Sequence, residues 1–309
     1  MKAKLFAGLK KFKSQKYLQI MVIPGIIWLI IFCYIPMYGI LIAFKNYQPV
    51  NGFFGGAWVG LQNFKDFFTD PDAIQSITNT LGISVLKLLV GFPAPIIFAL
   101  FLNELTSLRF KKVTQTISYL PYFISWVVLA NMIRSILGMQ GPVNGLLTQL
   151  GFISKGVSFM SSPSMYWGIL VISDLWKGIG WGSIIYIAAI AGINPELYES
   201  ALIDGAKRFQ RIRYITLPCI MPTMAILIIL SVSGILGSNF EQLYLLTNAA
   251  TAGVGEVIDT YVYKVGISLS RYSYATAVGL ARSIVSFVLL FIANKVVRKL
   301  SNGENGLFS

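Results

Sequence analysis

This sequence predicts an all-α, polytopic membrane protein with six spanning helices, and three observations carry that prediction. Of its 309 residues, 55% are hydrophobic and only 12% charged, about half the charge of a typical soluble domain. Too little charge is present to cover a water-facing surface, so lipid must cover much of it. Several uncharged runs reach the roughly 20 apolar residues needed to cross a bilayer core. Between those runs the lysines and arginines gather on alternate sides. The chain contains no histidine, which removes histidine-based catalysis, triads and metal sites. Cys33 and Cys219 lie in separate apolar segments and form neither a zinc set nor a disulfide framework, so no metal is expected. A net charge of +13 would suggest nucleic acid in a soluble protein. Beside apolar runs it suits membrane orientation instead, and no nucleic-acid partner is expected.

In chain order, residues 1–17 form a basic cytoplasmic segment in which Leu5, Leu9 and Phe12 share one helical face among lysines. That pattern suits a short interfacial helix on an anionic leaflet; a basic tail that only sets orientation explains it equally. Residues 18–44 form the first span, uncharged and longer than the 7–15-residue apolar core of a signal peptide. The second span is residues 81–103, with Lys87 inside it. Residues 113–133 are the third, without charge. The fourth, 165–193, contains Asp174 and Lys177; the fifth, 214–240, is again uncharged; the sixth, 272–294, contains Arg282. The spanning domain is thus residues 18–298, followed by a cytoplasmic tail, 299–309.

With six spans the basic residues divide sixteen to five. One side holds the N-terminal lysines, Arg109 to Lys112, Lys207 to Arg213, and Lys295 to Lys299. The other holds Lys45, Lys65, Lys155, Lys264 and Arg271. Positive loops resist translocation, which predicts both termini inside a bacterial cytoplasmic membrane. The outer loops, 46–77, 131–164 and 241–271, carry glycine and proline turn signals, and none is long enough for a substantial independent domain.

One inner loop, residues 194–218, has a pattern of its own. Asn194 followed by Pro195 reads as an N-cap with proline at the first helical position. Glu196 and Glu199 then suit the positive helix end, and Gly205 reads as a C-terminal stop. Two short helices joined at Gly205 are expected. The same loop resembles the coupling loop of binding-protein-dependent ABC importer permeases, E-A-A-x-x-D-G-A and then, with nine residues between the glycine and the isoleucine, I-x-L-P. Glu199, Ala201, Asp204, Gly205, Ala206, Ile215, Leu217 and Pro218 match at that spacing, and Ser200 replaces the first alanine. The resemblance covers most of the chain. Residues 91–95, 119–126, 240–246 and 272–277 look like the carbohydrate branch, and more narrowly the LplB-type permeases of oligosaccharide and polysaccharide-fragment uptake.

This resemblance implies a maltose-permease-like fold and a transporter subunit rather than an enzyme. Its ATPase-coupling residues are Glu199, Ser200, Ala201, Asp204, Gly205, Ala206 and Phe209, with residues 199–209 inserting as a helix into an ATPase groove. The implied partners are two cytoplasmic ATPase subunits, a second permease subunit (expected as a different chain), an extracytoplasmic solute-binding protein, the bilayer and a carbohydrate. ATP and magnesium belong to the ATPases. Here the one Gly-x4-Gly beside a lysine, Gly151 to Gly156, runs into Val157 and lacks the lysine and hydroxyl of a phosphate loop. This chain is therefore expected to bind no cofactor. An ion-gradient-driven carrier is the alternative from another class, and an ABC permease for a non-sugar solute the alternative within this one.

Charges inside spans often mark a pathway. Asp174 and Lys177 share a helical face, so they either pair with each other or line a path. Asp174-Leu175-Trp176-Lys177-Gly178 aligns with the sugar-contacting N-L-W-x-G motif of the maltose-type permease. By that resemblance Asp174, Lys177, Gly178 and Trp181 are substrate-path positions. Aspartate in place of asparagine and lysine in place of leucine point to a different saccharide, charged ones included. In the fifth span the family contacts fall on Leu236 and Asn239 or, one residue earlier, on Ile235 and Ser238. Asn239 is favoured because an amide both donates to and accepts from hydroxyls; a helix-end role is its alternative. Lys87 and Arg282 read as inter-helix partners or snorkelling cations.

Overall fold

The computed structural model describes residues 15–52, 55–237 and 239–300, Leu300 in its backbone only. The amphipathic face of Leu5, Leu9 and Phe12 and the tail after residue 300 lie outside the described residues. Nearly everything described is helical.

The first crossing starts as α1 (Lys16–Leu29) and continues through a wide π-helical turn (Ile30–Tyr34) and a tighter 3-10 stretch (Ile35–Phe44). The change of pitch follows from Pro36, which has no N–H for the carbonyl of Phe32. Of this 29-residue crossing, Ala43 alone is buried, near the end where it packs on the last helix. A short antiparallel bridge, Lys45 to Trp58, closes the following loop.

The second crossing comprises α3 (Pro71–Gly91) and α4 (Pro93–Glu104), after the short α2 (Gln62–Thr69). It begins at Pro71 rather than residue 81 because Asp70 caps it, its carboxylate accepting from the Asp72 N–H at 2.9 Å, with proline at N1.

The third crossing departs from expectation. Residues 113–133 are not one helix. α5 (Leu108–Tyr119) tightens into a 3-10 turn (Leu120–Phe123), and α6 (Trp126–Leu137) leaves in a new direction. The segments before and after the break meet at 101°. Pro121 cannot donate to Ile117 and its ring crowds that carbonyl. Ser125 then caps α6, accepting from the Val128 N–H at 3.3 Å. The short α7 (Pro142–Gln149) follows.

α8 (Pro163–Ala191), the fourth crossing, is central: it packs against α3, α4, α5 and α13. Gly180 permits this, since a Cβ there would lie 2.1 Å from the Ser118 carbonyl oxygen. Small residues let membrane helices approach in this way. The coupling-type loop contributes α9 (Pro195–Ile203) and α10 (Arg208–Arg211). α11 (Leu217–Ser233) stops at Ser233, not residue 240, because Gly234 and Gly237 open a loop. Then come α12 (Phe240–Leu246), α13 (Ala252–Gly255), α14 (Ile258–Tyr263) and the sixth crossing, α15 (Tyr272–Leu300). Five described helices are long and apolar enough to span a membrane, and the bent pair counted as one span makes six. With the bent pair taken as one crossing, alternation places residue 16, the α9–α10 loop and the end of α15 on one side.

Candidate functional site

Between α3, α4, α8 and the α11–α12 loop lies a cavity of about 410 Å³, within the usual size of a small-molecule site. Its walls are mostly apolar, including Phe92 and Tyr186, and its charged lining residues are Lys87 and Asp174. These pair at 3.7 Å. Lys87 also donates to the Gln242 side-chain oxygen. Gln242 is fully buried, and its amide nitrogen donates to the Leu170 carbonyl and to Ser173 Oγ, both at 2.8 Å. Those two bonds fix which end of the amide faces Lys87. Asn239 donates to Asp174 Oδ1 at 3.5 Å. It also caps α12 by accepting from the Gln242 N–H at 3.4 Å, so helix end and cavity wall coincide in one residue.

The anticipated path residues separate here. Asp174 and Asn239 line the cavity; Lys177 does not, and it does not pair with Asp174. Its ammonium donates instead to the carbonyls of Pro121 at 3.3 Å, Tyr122 at 2.8 Å, and Ile124. All three lie at the break in the third crossing, where the Pro121 carbonyl also accepts from the Ile124 N–H at 3.2 Å. Trp181 joins it there, stacked on Tyr122 at 4.4 Å between ring centres. Gly178 sits on α8 between them, outside the cavity lining. Leu236 is buried and faces away from the cavity, while Ile235 lines it; Ser238 lies outside the described residues. The chain is no longer helical there. Lys87 forms the inter-helix pair anticipated for it, yet it also lines the cavity, and nothing local in the sequence marks that. Arg282 pairs with Asp259.

At the other site α9 is built by its caps. Asn194 Oδ1 accepts from the Glu196 N–H at 3.1 Å, and Pro195 occupies N1. At the far end the Ala206 N–H reaches the Ala201 carbonyl at 2.8 Å and the Gly205 N–H reaches Leu202 at 3.1 Å. Gly205 has φ +77°, so this is a Schellman ending with glycine in the left-handed region. Residues 199–209 are therefore not a single helix; the chain turns at Gly205 and α10 starts at Arg208. Glu199, Ser200, Asp204 and Phe209 are exposed, and Ala201 and Ala206 half-buried. Ile203 is 88% and Phe209 71% exposed, an apolar pair left uncovered on this chain. The loop is tied back to the body by Tyr198 OH to Thr216 Oγ1 at 2.9 Å and by Arg208 to Glu104 at 3.9 Å.

On the opposite side, Asp70 sits under the hydroxyls of Tyr261, 2.8 Å away, and Tyr274, 3.2 Å away. Burial pushes its carboxyl up. Hydrogen bonds from Tyr261, from the Asp72 and Ala73 backbone and from Tyr274 outweigh that and hold it below its ordinary value.

Residues 91–302 match the family described as binding-protein-dependent transport system inner membrane component. The chain is 42% identical over 297 residues to Protein LplB of Bacillus subtilis (strain 168), covering 96% of this chain and 92% of that one. It is 40% identical to the polygalacturonan/rhamnogalacturonan transport system permease protein YteP of the same organism, with the same coverage. A chain in the crystal structure of a bacterial ABC transporter involved in import of the acidic polysaccharide alginate superimposes with TM-score 0.87. It is 41% identical, covering 95% of this chain and 99% of that one. A second structure of a bacterial alginate ABC transporter, in complex with an alginate pentasaccharide-bound periplasmic protein, gives TM-score 0.88 at 40% identity. The chain belongs to the binding-protein-dependent transport system inner membrane components, the membrane-spanning permease subunits of ABC importers.

Proposed function

We propose that this chain forms part of the path by which an oligosaccharide crosses the bacterial cytoplasmic membrane, working with a second permease subunit. An extracytoplasmic solute-binding protein delivers the sugar, and two cytoplasmic ATPases, which bind ATP and magnesium, drive the cycle through residues 199–218. Both termini then lie inside, on the side of the α9–α10 loop. The observation that carries the reading is the cavity itself. It is lined by residues of the second, fourth and fifth crossings and of the loop after the fifth, apolar and aromatic over most of its wall, with a few convergent polar groups at Lys87, Asp174 and Asn239. Aromatic faces with hydroxyl-binding amide and carboxylate groups suit a pyranose ring. The names of the relatives support the substrate class.

Coupling follows from stiffness. α9 ends in a closed turn, and its loop is bonded to Thr216 at the foot of the fifth crossing and to Glu104 at the foot of the second. An ATPase gripping the exposed Ile203–Phe209 surface would move those feet together, a rigid-body rocking that alternates access to the cavity. The test is uptake of labelled oligosaccharide by cells carrying the intact transporter, with Asp174→Ala and Asn239→Ala in this chain. Asn239→Ala is expected to lower uptake without loss of the assembled complex, and Asp174→Ala, which leaves the Lys87 ammonium without its counter-ion, to lower uptake per assembled complex. Full uptake with unchanged apparent affinity in both would remove the cavity from the path.

A further inference from the structure

Four features of the cavity belong together. Lys87 is its one cationic lining residue, and its side chain is only 14% exposed. It is anchored from behind, because the buried Gln242 is locked by Leu170 and Ser173 and presents its oxygen to the ammonium. Asp174, by contrast, is 37% exposed. It is held by two long contacts, 3.7 Å to Lys87 and 3.5 Å to Asn239, both at or beyond the limit of a good hydrogen bond. The cation is fixed and its partner is loose. An ammonium has three donors, and Lys87 keeps capacity that neither neighbour saturates.

We propose that Lys87 recognises the carboxylate of an acidic saccharide, and that Asp174 is the counter-ion which that carboxylate displaces. The proposal rests on the saccharide reading above and narrows it to uronate-type sugars. In the empty cavity Asp174 keeps Lys87 paired, since a charge left alone at this depth is strongly destabilising. When an acidic sugar arrives, its carboxylate takes the Asp174 position on Lys87 and Asp174 turns toward the open side. When the cavity reopens, Asp174 returns and competes the sugar off, so a strong contact does not trap the cargo. With Lys87 opposite, the site needs a removable negative charge, and Asp174 supplies it. Lys177 plays no part in it, because its donors are spent on the Pro121–Ile124 carbonyls.

The experiment uses the complete transporter in proteoliposomes with its own binding protein, offered a galacturonate trisaccharide and the methyl ester of the same trisaccharide. The readout is the ratio of acid to ester uptake. One binding protein serves all variants, so its own preference cancels between them. Wild type is expected to prefer the acid. Lys87→Gln should cut the ratio by about tenfold or more, the usual worth of a hydrogen bond to a charged group. Asp174→Asn should preserve or raise the ratio, lowering KM for the acid together with the maximal rate, because nothing now competes the sugar off. The double variant Lys87→Gln, Asp174→Asn strands no charge, so a loss of ratio there cannot come from misassembly. An unchanged ratio in the assembled double variant, or equal uptake of acid and ester by wild type, would overturn the proposal while leaving saccharide import standing. Import of neither sugar would overturn both.

Discussion

Gly205 allows the sharpest test of the coupling loop, because its geometry separates two reasons for needing glycine. Its φ is +77° and a Cβ built there meets nothing within 4 Å on this chain. The cost of a side chain in the free subunit is therefore conformational. A left-handed residue other than glycine costs about 1–2 kcal/mol, enough to deplete the Schellman turn roughly 5- to 30-fold. Gly205→Ala should pay that cost, whereas Gly205→Asn should pay less of it, since asparagine tolerates the left-handed region. Gly205→Val should pay most. The whole subunit should still fold and insert, because Gly205 belongs to none of its buried clusters. Co-purification of the ATPase with tagged permease, followed by substrate-stimulated hydrolysis in nanodiscs, reads the effect. If φ alone matters, docking should rank glycine, asparagine, alanine, valine. If the ATPase groove closes on the glycine, asparagine should fail with alanine. Wild-type docking and coupled hydrolysis in Gly205→Val would refute the role of the turn.

Three further predictions follow from other parts of the fold. Cysteine placed at Ser164 should react with an impermeant thiol reagent added outside and cysteine at Thr106 should not; the reverse pattern would invert the topology. Lys177→Met should deprive the Tyr122 and Ile124 carbonyls at the Pro121 break of the ammonium, lowering thermal stability by about 2 kcal/mol and exposing residues near Ser125 to labelling, with the acid-to-ester uptake ratio unchanged. A shift in that ratio would return Lys177 to the substrate path. The Asp70 carboxyl has a folded pKa below its unfolded value, so its contribution is present above about pH 3.9 and is lost as pH falls through the lower folded value. Thermal unfolding followed downward from pH 7 should show that acid-side loss in the wild type and lack it in Asp70→Asn; parallel curves would mean that the tyrosine hydroxyls do not stabilise the ionised form.

The sequence showed those parts of the structure that depend on local chemistry. Asn194, Pro195 and Gly205 announce α9 and its turn because caps are read from neighbours in the chain, and the structure supplies each bond the caps require. The crossings were visible because apolar length is a local property. What was hidden depends on a single residue or a distant partner. Pro121 lies inside a run without charges, where a search for apolar length passes over it, yet it turns one span into two pieces. That break then claims Lys177, whose alignment position suggests a substrate contact. Lys87 joins Asp174 from a different crossing, so no helical period could bring them together. Leu236 and Ile235 are one residue apart in a non-helical stretch after Ser233, so which of them faces the cavity is set by the loop's path and not by a helical period.

Under the proposed function, this chain moves an oligosaccharide only as part of an ATP-driven complex that engages its α9–α10 loop. Uptake into proteoliposomes measures it most directly, comparing the complete transporter plus binding protein with this chain reconstituted alone under imposed proton and sodium gradients. Oligosaccharide uptake is expected from the complete transporter, requiring ATP on the loop side and reduced by Glu199→Lys, with none by the chain alone. Gradient-driven uptake by the chain alone, without ATP, would contradict it and make the chain an ion-coupled carrier.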